Sequence, residues 1–237
     1  MSFQDKLVIV AGGTGALGRV ASVAFLEAGA NVIATYRRQE EYDALVASVG
    51  VGAGRLGGVT VDVTQETAVN SFVEGVAAQH GRLDILVNAV GGYAGGKKLW
   101  EADPRTYDQM LALNLKAGWV LARAVLPVMI RQNRGWIVNV ASKAAYGRSA
   151  GAALYAASKA GALALFDSLA EEVKSYNINV NTVVPSIFDT EANRKAMPAA
   201  DFSRWPTPEE IARVILFLCS EEARVVHGAA IPVYGQS

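Results

Sequence analysis

Short apolar runs rich in β-branched residues alternate along the chain with longer stretches whose apolar positions recur every three or four residues. The short runs cover residues 6–11 (KLVIVA), 31–36 (NVIATY), 58–62 (GVTVD), 84–88 (DILVN), 136–141 (WIVNVA), 179–184 (NVNTVV) and 230–233 (AIPV). Most lack a polar/apolar alternation, which is the pattern of strands covered on both faces. The longer stretches are 15–28, 39–48, 65–80, 104–130, 152–176 and 208–220. Val69, Phe72, Val73 and Val76 show the spacing that lays one apolar stripe along a helix. Asp103-Pro104 and Thr207-Pro208 supply a cap and an N1 proline at two helix starts. Strand–helix–strand repetition with short connections predicts an α/β protein: one domain over 1–237, a doubly wound parallel sheet in three layers. Residues 186–206 form one long irregular segment, expected to be a mobile lid over a substrate.

Composition narrows the classes. Of 237 residues, 51% are hydrophobic and 19% charged, which excludes global disorder. Lys plus Arg number 22 and Asp plus Glu 22, so net charge gives no pull towards nucleic acid or an anionic membrane. Cys219 is the single cysteine, so no intrachain disulfide can form and a reducing cytoplasm fits best. With His80 and His227 the only histidines, no metal site is expected. The N-terminus lacks a secretory pattern, and the greasy run 118–130, interrupted by Arg123, is too short to span a bilayer.

The first strand runs directly into Gly12-Gly13-Thr14-Gly15-Ala16-Leu17-Gly18, and a helix follows. Glycines there let the backbone turn sharply and aim free helix N–H groups at a pyrophosphate, so the expected ligand is a dinucleotide. An NAD site wants a carboxylate at the end of the second strand. This chain has Tyr36-Arg37-Arg38 instead, and its first acids, Glu40 and Glu41, belong to the next helix. Guanidinium groups bind a 2′-phosphate, so NADPH/NADP+ is expected over NADH. Asp62, followed by Val63, ends the third strand and is a candidate partner for the adenine amino group.

Tyr155 and Lys159 stand four apart, on one helix face. An ammonium near a phenol favours phenolate, making the tyrosine a proton donor and acceptor near neutral pH. Ser142 lies thirteen residues upstream at the end of the fifth strand, on the side where the glycine loop opens. Asn114 is a polar residue in an apolar helical neighbourhood and needs a partner.

Taken together these residues resemble the short-chain dehydrogenase/reductase family, over nearly the whole chain and with its Rossmann fold. The matching pieces are Gly12–Gly18, Asp62-Val63-Thr64, Asn88-Ala89-Val90-Gly91, Asn114, Ser142, Tyr155 with Lys159, and Pro185 with Thr190. The resemblance implies Tyr155 as general acid, Ser142 polarising the substrate oxygen, and Lys159 lowering the tyrosine pKa and bonding the nicotinamide ribose. It implies Asn114 holding a relay water, Asn88, Ala89 and Val90 lining the nucleotide, Pro185, Ile187 and Thr190 around the nicotinamide, and a homotetramer or homodimer. Two departures stand out: Ala16 replaces the usual middle glycine, and Ser186 follows Pro185 where glycine is usual. Residues 91–96, 193–198, 201–203 and Trp205 are similar to the dihydropteridine reductase branch, which implies a pterin or related heterocycle as one substrate class. Tyr93, Met197 and Trp205 would contact it, with Tyr93 and Trp205 stacking. Ser142 instead suits a ketone or 3-oxoacyl carbonyl. A nucleotide-sensing regulator without catalysis, and a dehydratase or epimerase using the nucleotide internally, are the remaining alternatives.

Overall fold

In the computed structural model, which describes residues 1–147 and 149–237 and Val51 by its backbone alone, seven parallel strands form one sheet. They are β1 Leu7–Ala11, β2 Asn31–Tyr36, β3 Leu56–Thr60, β4 Ile85–Asn88, β5 Gly135–Val140, β6 Ile178–Pro185 and β7 Ala230–Val233, in spatial order β3-β2-β1-β4-β5-β6-β7. The helices are α1 Ala16–Glu27, α2 Gln39–Val49, α3 Glu66–His80, α4 Pro104–Leu111, α5 Ala117–Gln132, α6 Ala153–Val173, α7 Glu191–Ala196 and α8 Pro208–Leu218. One apolar layer packs Phe72 of α3, Leu121 of α5 and Phe166 of α6 on the sheet; the opposite layer packs Phe25 of α1 and Ile215 of α8. Continuous apolar strands follow from this: β1 is buried at every position.

Local differences from the sequence expectation have physical causes. β3 runs 56–60 rather than 58–62, because its ladder with β2 ends where Tyr36 pairs with Thr60, leaving Asp62 in the loop beyond. The expected helix 104–130 is broken by a single π-helical turn, Ala112–Lys116, between α4 and α5. Such a turn widens the ladder by one residue, commonly at a functional position; here it carries Asn114. Pro104–Gln132 as a whole is long and apolar enough to cross a membrane by length and composition, but 56% of its most apolar window is buried within the fold. Periodicity did not reveal α7: six residues are too few to show an amphipathic stripe.

Candidate active site

Between β1 and β4 the chain connections leave in opposite directions along the sheet, and the crevice beyond the carboxyl ends of these strands is where α/β sheets bind ligands. The glycine loop fills its floor. Gly12 has φ +72°, a left-handed conformation, and an added Cβ would sit 3.3 Å from the Ala89 carbonyl and the Val90 nitrogen. A Cβ at Gly18 would collide with the Gly12 carbonyl oxygen. The loop is tied to β2: the Gly12 N–H donates to Thr35 Oγ1 (2.9 Å) and the Gly13 N–H to the Thr35 carbonyl (3.0 Å). Gly15 is the N-cap of α1 and provides no side-chain bond, and the first turn of α1 holds no acid. The first-turn amides, Ala16 and Leu17 among them, thus keep the positive end of the helix open towards an anion. The cradle fits a pyrophosphate.

At the adenosine end, Tyr36 stacks on Tyr42 (centroids 4.7 Å apart) and its hydroxyl donates to Gln39 Oε1 (2.8 Å). Arg37 and Arg38 are both exposed. Arg38 is ion-paired with Glu41, and the Thr14 hydroxyl donates to the other oxygen of the same carboxylate (3.0 Å). The hydrogen bond from Arg38, assisted by Thr14, holds the Glu41 carboxyl below its ordinary range despite partial burial. Sequence reasoning assigned Glu41 only to the next helix; the fold returns it to the glycine loop. Asp62 Oδ1 accepts from the Thr64 N–H (2.9 Å) and hydroxyl (2.7 Å), which lowers its pKa and closes a turn, and Val63 beside it is buried. Asn88 is buried in the sheet: its amide donates to Asn139 Oδ1 (2.9 Å), and its Oδ1 accepts from the Val90 N–H (3.3 Å).

The proposed proton-transfer residues converge next to this crevice. Ser142, just past β5, accepts from the Ala144 N–H (3.2 Å) and lies close enough to the Tyr155 hydroxyl to act on its pKa. Burial raises the Tyr155 pKa above its ordinary value, Ser142 opposes this, and the nearby Tyr93 adds to it. That corrects the expectation of a phenol pulled down by Lys159. The lysine amine instead donates to the Val140 carbonyl (3.0 Å), and burial, at 5% exposure, lowers its own pKa to about 8.

Asn114 is a buried hub. Its Oδ1 accepts from the Gly92 N–H (2.9 Å), and its Nδ2 donates to the Gly92 carbonyl (3.0 Å) and to Ser158 Oγ (3.0 Å). Ser158, which sequence reasoning overlooked, in turn donates to the Tyr155 carbonyl (2.8 Å). It therefore joins the π turn to the first turn of α6; its place between Tyr155 and Lys159 in the sequence was the available signal. A Cβ at Gly91 would lie 3.0 Å from Asn114 Oδ1 and 3.1 Å from Lys159 Nζ, so both groups face the same narrow space.

On the substrate side, Tyr93 is 68% exposed and packs edge-on to Tyr155 (5.0 Å, 77°). A cavity of about 150 Å³ is walled by their chain neighbours Ala94 and Leu154 together with Leu99 and Ala102, with Lys97 and Asp103 at its polar edge. The 186–206 segment is only partly irregular. Pro185 closes β6, Ile187 is half-buried, and Thr190 caps α7 by accepting the Asn193 N–H (3.1 Å). Met197, just past α7, is exposed. Trp205 is 7% exposed with its ring 5.0 Å from Phe202, so it is a packing residue of the segment and not the exposed stacking face expected of it. The chain terminus straps this segment down: Ser186 Oγ donates to the Tyr234 carbonyl (3.0 Å) and Arg204 to the Gln236 carbonyl (2.8 Å).

Comparison with known proteins agrees with this geometry. A family model described as short chain dehydrogenase matches residues 6–201. The 3-oxoacyl-(acyl-carrier-protein) reductase of Thermotoga maritima is 32% identical over 99% of this chain and 98% of its own. The D-threitol dehydrogenase of Mycolicibacterium smegmatis is also 32% identical, over 98% of this chain and 92% of its own. Among solved structures, ElxO with NADP bound superposes with a TM-score of 0.91 at 25% identity, covering 97% of both chains.

Proposed function

The chain belongs to the short-chain dehydrogenase family of oxidoreductases, and we propose that it reduces a carbonyl substrate with NADPH, Tyr155 acting as general acid. The observation that carries this reading is the convergence of Ser142 and Tyr155 beside the buried Lys159, at the crevice floored by the glycine loop. When bound, the nicotinamide nucleotide would supply the hydride. Its pyrophosphate would rest on the amides of Ala16, Leu17 and Gly18, with Arg37 and Arg38 on the 2′-phosphate, Tyr36, Asp62 and Val63 towards the adenine, and Asn88, Ala89 and Val90 along the nucleotide. Pro185, Ile187 and Thr190 would border the nicotinamide.

The chain's own residues handle the proton. Ser142 polarises the substrate oxygen through its hydroxyl, and Tyr155, whose raised pKa keeps it protonated at neutral pH, delivers the proton to that oxygen. Lys159, titrating near 8, is both donor and acceptor at working pH and can restore the Tyr155 proton. Asn114 Oδ1 faces the same space and can hold a water between Lys159 and solvent. The cavity walled by Ala94, Leu99, Ala102 and Leu154, the last of which precedes Tyr155, offers apolar surface for the chain of a ketone or 3-oxoacyl group, with Lys97 and Asp103 at its edge. A pterin is the second reading, favoured by the exposed Tyr93 against Tyr155, although burial of Trp205 leaves it one stacking face. Exposed Tyr107, Trp119 and Ile130 on α4 and α5 suit a homodimer or homotetramer interface, and the lone, buried Cys219 suits the cytoplasm.

The test is nucleotide oxidation across ketones, 3-oxoacyl thioesters and quinonoid pterins, with Tyr155→Phe as control. Loss of the general acid is expected to cost roughly 10²–10⁴-fold in kcat while nucleotide binding survives. A variant within threefold of wild type would remove Tyr155 from the chemistry.

A further inference from the structure

Glu41 lies where neither a cap nor a core requires it. It sits in the first turn of α2, and its two carboxylate oxygens reach back in different directions. One accepts from the guanidinium of Arg38, the residue immediately before α2, and the other accepts from the hydroxyl of Thr14 in the glycine loop (3.0 Å). The same charge is felt by Arg37, which also lies near Asp62. A two-oxygen anion therefore already bridges the donors that face the end of β2, where the nucleotide ribose lies in doubly wound folds. A phosphate on the ribose 2′ oxygen would seek these donors, since guanidinium and hydroxyl groups bind phosphate and carboxylate alike. It would also meet the Glu41 charge, and like charges at contact distance repel.

We propose that Glu41 sets this enzyme's choice between phosphorylated and unphosphorylated dinucleotides, by occupying Arg38 and Thr14 so that a 2′-phosphate binds only after displacing it. Displacement is open to it: the Glu41 side chain is 35% exposed and that of Arg38 72%, so each can swing into water without disturbing packed atoms. Arg37 remains for the phosphate. The consequence is an NADPH preference weaker than two adjacent arginines would give alone, with NADH tolerated. This rests on the reading that Arg37 and Arg38 face the 2′ position.

Equilibrium binding separates the two ideas without turnover. 2′,5′-ADP and 5′-AMP, then NADPH and NADH, would be titrated calorimetrically into wild type, Glu41→Gln, Glu41→Ala and the double variant Arg37→Ala/Arg38→Ala. Both Glu41 variants are expected to tighten 2′,5′-ADP and NADPH about tenfold, the scale of one exposed charge pair plus one removed repulsion, while 5′-AMP and NADH stay within about twofold or weaken. Thr14→Val, which frees Glu41 from the loop but keeps its charge, should move the ratio less. An unchanged ratio of phosphorylated to unphosphorylated ligand in both Glu41 variants, or an equal gain for both ligands, overturns the proposal. If the arginine double variant binds NADPH like wild type while the Glu41 variants shift the ratio, the arginine reading fails and the role of Glu41 stands. If the double variant loses NADPH and the Glu41 variants leave the ratio unchanged, the reverse holds.

Discussion

Replacing Lys159 by methionine should make the protein more stable and useless at once. The amine is 5% exposed and titrates at about 8, against 10.5 for an unperturbed lysine. A folded pKa below the unfolded one means that the unfolded chain binds more protons between those values, so wild-type stability rises with pH across that window. Below pH 8 the penalty on the charged form is present in full; at about 1.36 kcal/mol per pH unit it amounts to roughly 3 kcal/mol. Methionine keeps a similar unbranched stem and removes the charge. It also gives up the hydrogen bond to the Val140 carbonyl, which offsets about 1 kcal/mol. The net expectation at pH 7 is about 2 kcal/mol of added stability. In a domain of this size that is an upward Tm shift of about 4–8 °C. The assay is thermal unfolding of wild type and Lys159→Met without nucleotide, at intervals from pH 6.5 to 10.5. The difference should be flat up to about pH 8, shrink above it and vanish or change sign near 10.5, since other titrating groups cancel between the two proteins. Reductase activity should fall at least 10²-fold at every pH. A variant less stable than wild type at pH 7, or a stability difference independent of pH, would show that the lysine is not held against a desolvation cost.

Gly18→Ala drives a methyl group into the Gly12 carbonyl; it should cost roughly 1–3 kcal/mol or more and abolish nucleotide binding, measured by urea unfolding and calorimetry. Asn114→Ala leaves the Gly92 N–H and carbonyl without their side-chain partner and takes one donor from the buried Ser158 oxygen, for an expected loss of roughly 1–3 kcal/mol in denaturant unfolding; a loss under about 0.5 kcal/mol would mean that the hub is dispensable. Ser142→Ala distinguishes substrate classes: ketone reduction should drop about 10²-fold with the polarising bond gone, whereas pterin reduction should largely survive. Equal losses on both would tie Ser142 to Tyr155 and not to the substrate carbonyl.

Much of this protein is written in short-range pattern. Runs of Val, Ile and Leu without alternation demanded a parallel sheet with both faces covered, because only helix crossovers supply two apolar lids, and the seven strands lie within two residues of where those runs stand. The glycine loop was legible for a related reason: backbone that must approach backbone at Gly12 and Gly18 admits no side chain, so residue type reports geometry directly. Tyr155 and Lys159 were legible because one helical turn separates them whatever the rest of the chain does.

What the sequence could not reveal is every feature made by contact between distant segments. Glu41 reads as an ordinary residue in a helix first turn until the fold brings Thr14, 27 residues earlier in the chain, to its carboxylate. Asn114, in the π turn, finds its partners in Gly92 and Ser158, which lie 22 and 44 residues away. Trp205 was expected to face a ligand, yet it packs on Phe202 within a segment strapped by residues 234–237. The direction of the Tyr155 pKa belongs to the same class. Proximity along a helix pointed towards a lowered value, but desolvation depends on what covers the ring, and that is set by Tyr93 and its surroundings in three dimensions. Periodicity and residue type carry information over one turn or one strand; charge balance and burial are sums over neighbours that only the folded chain assembles.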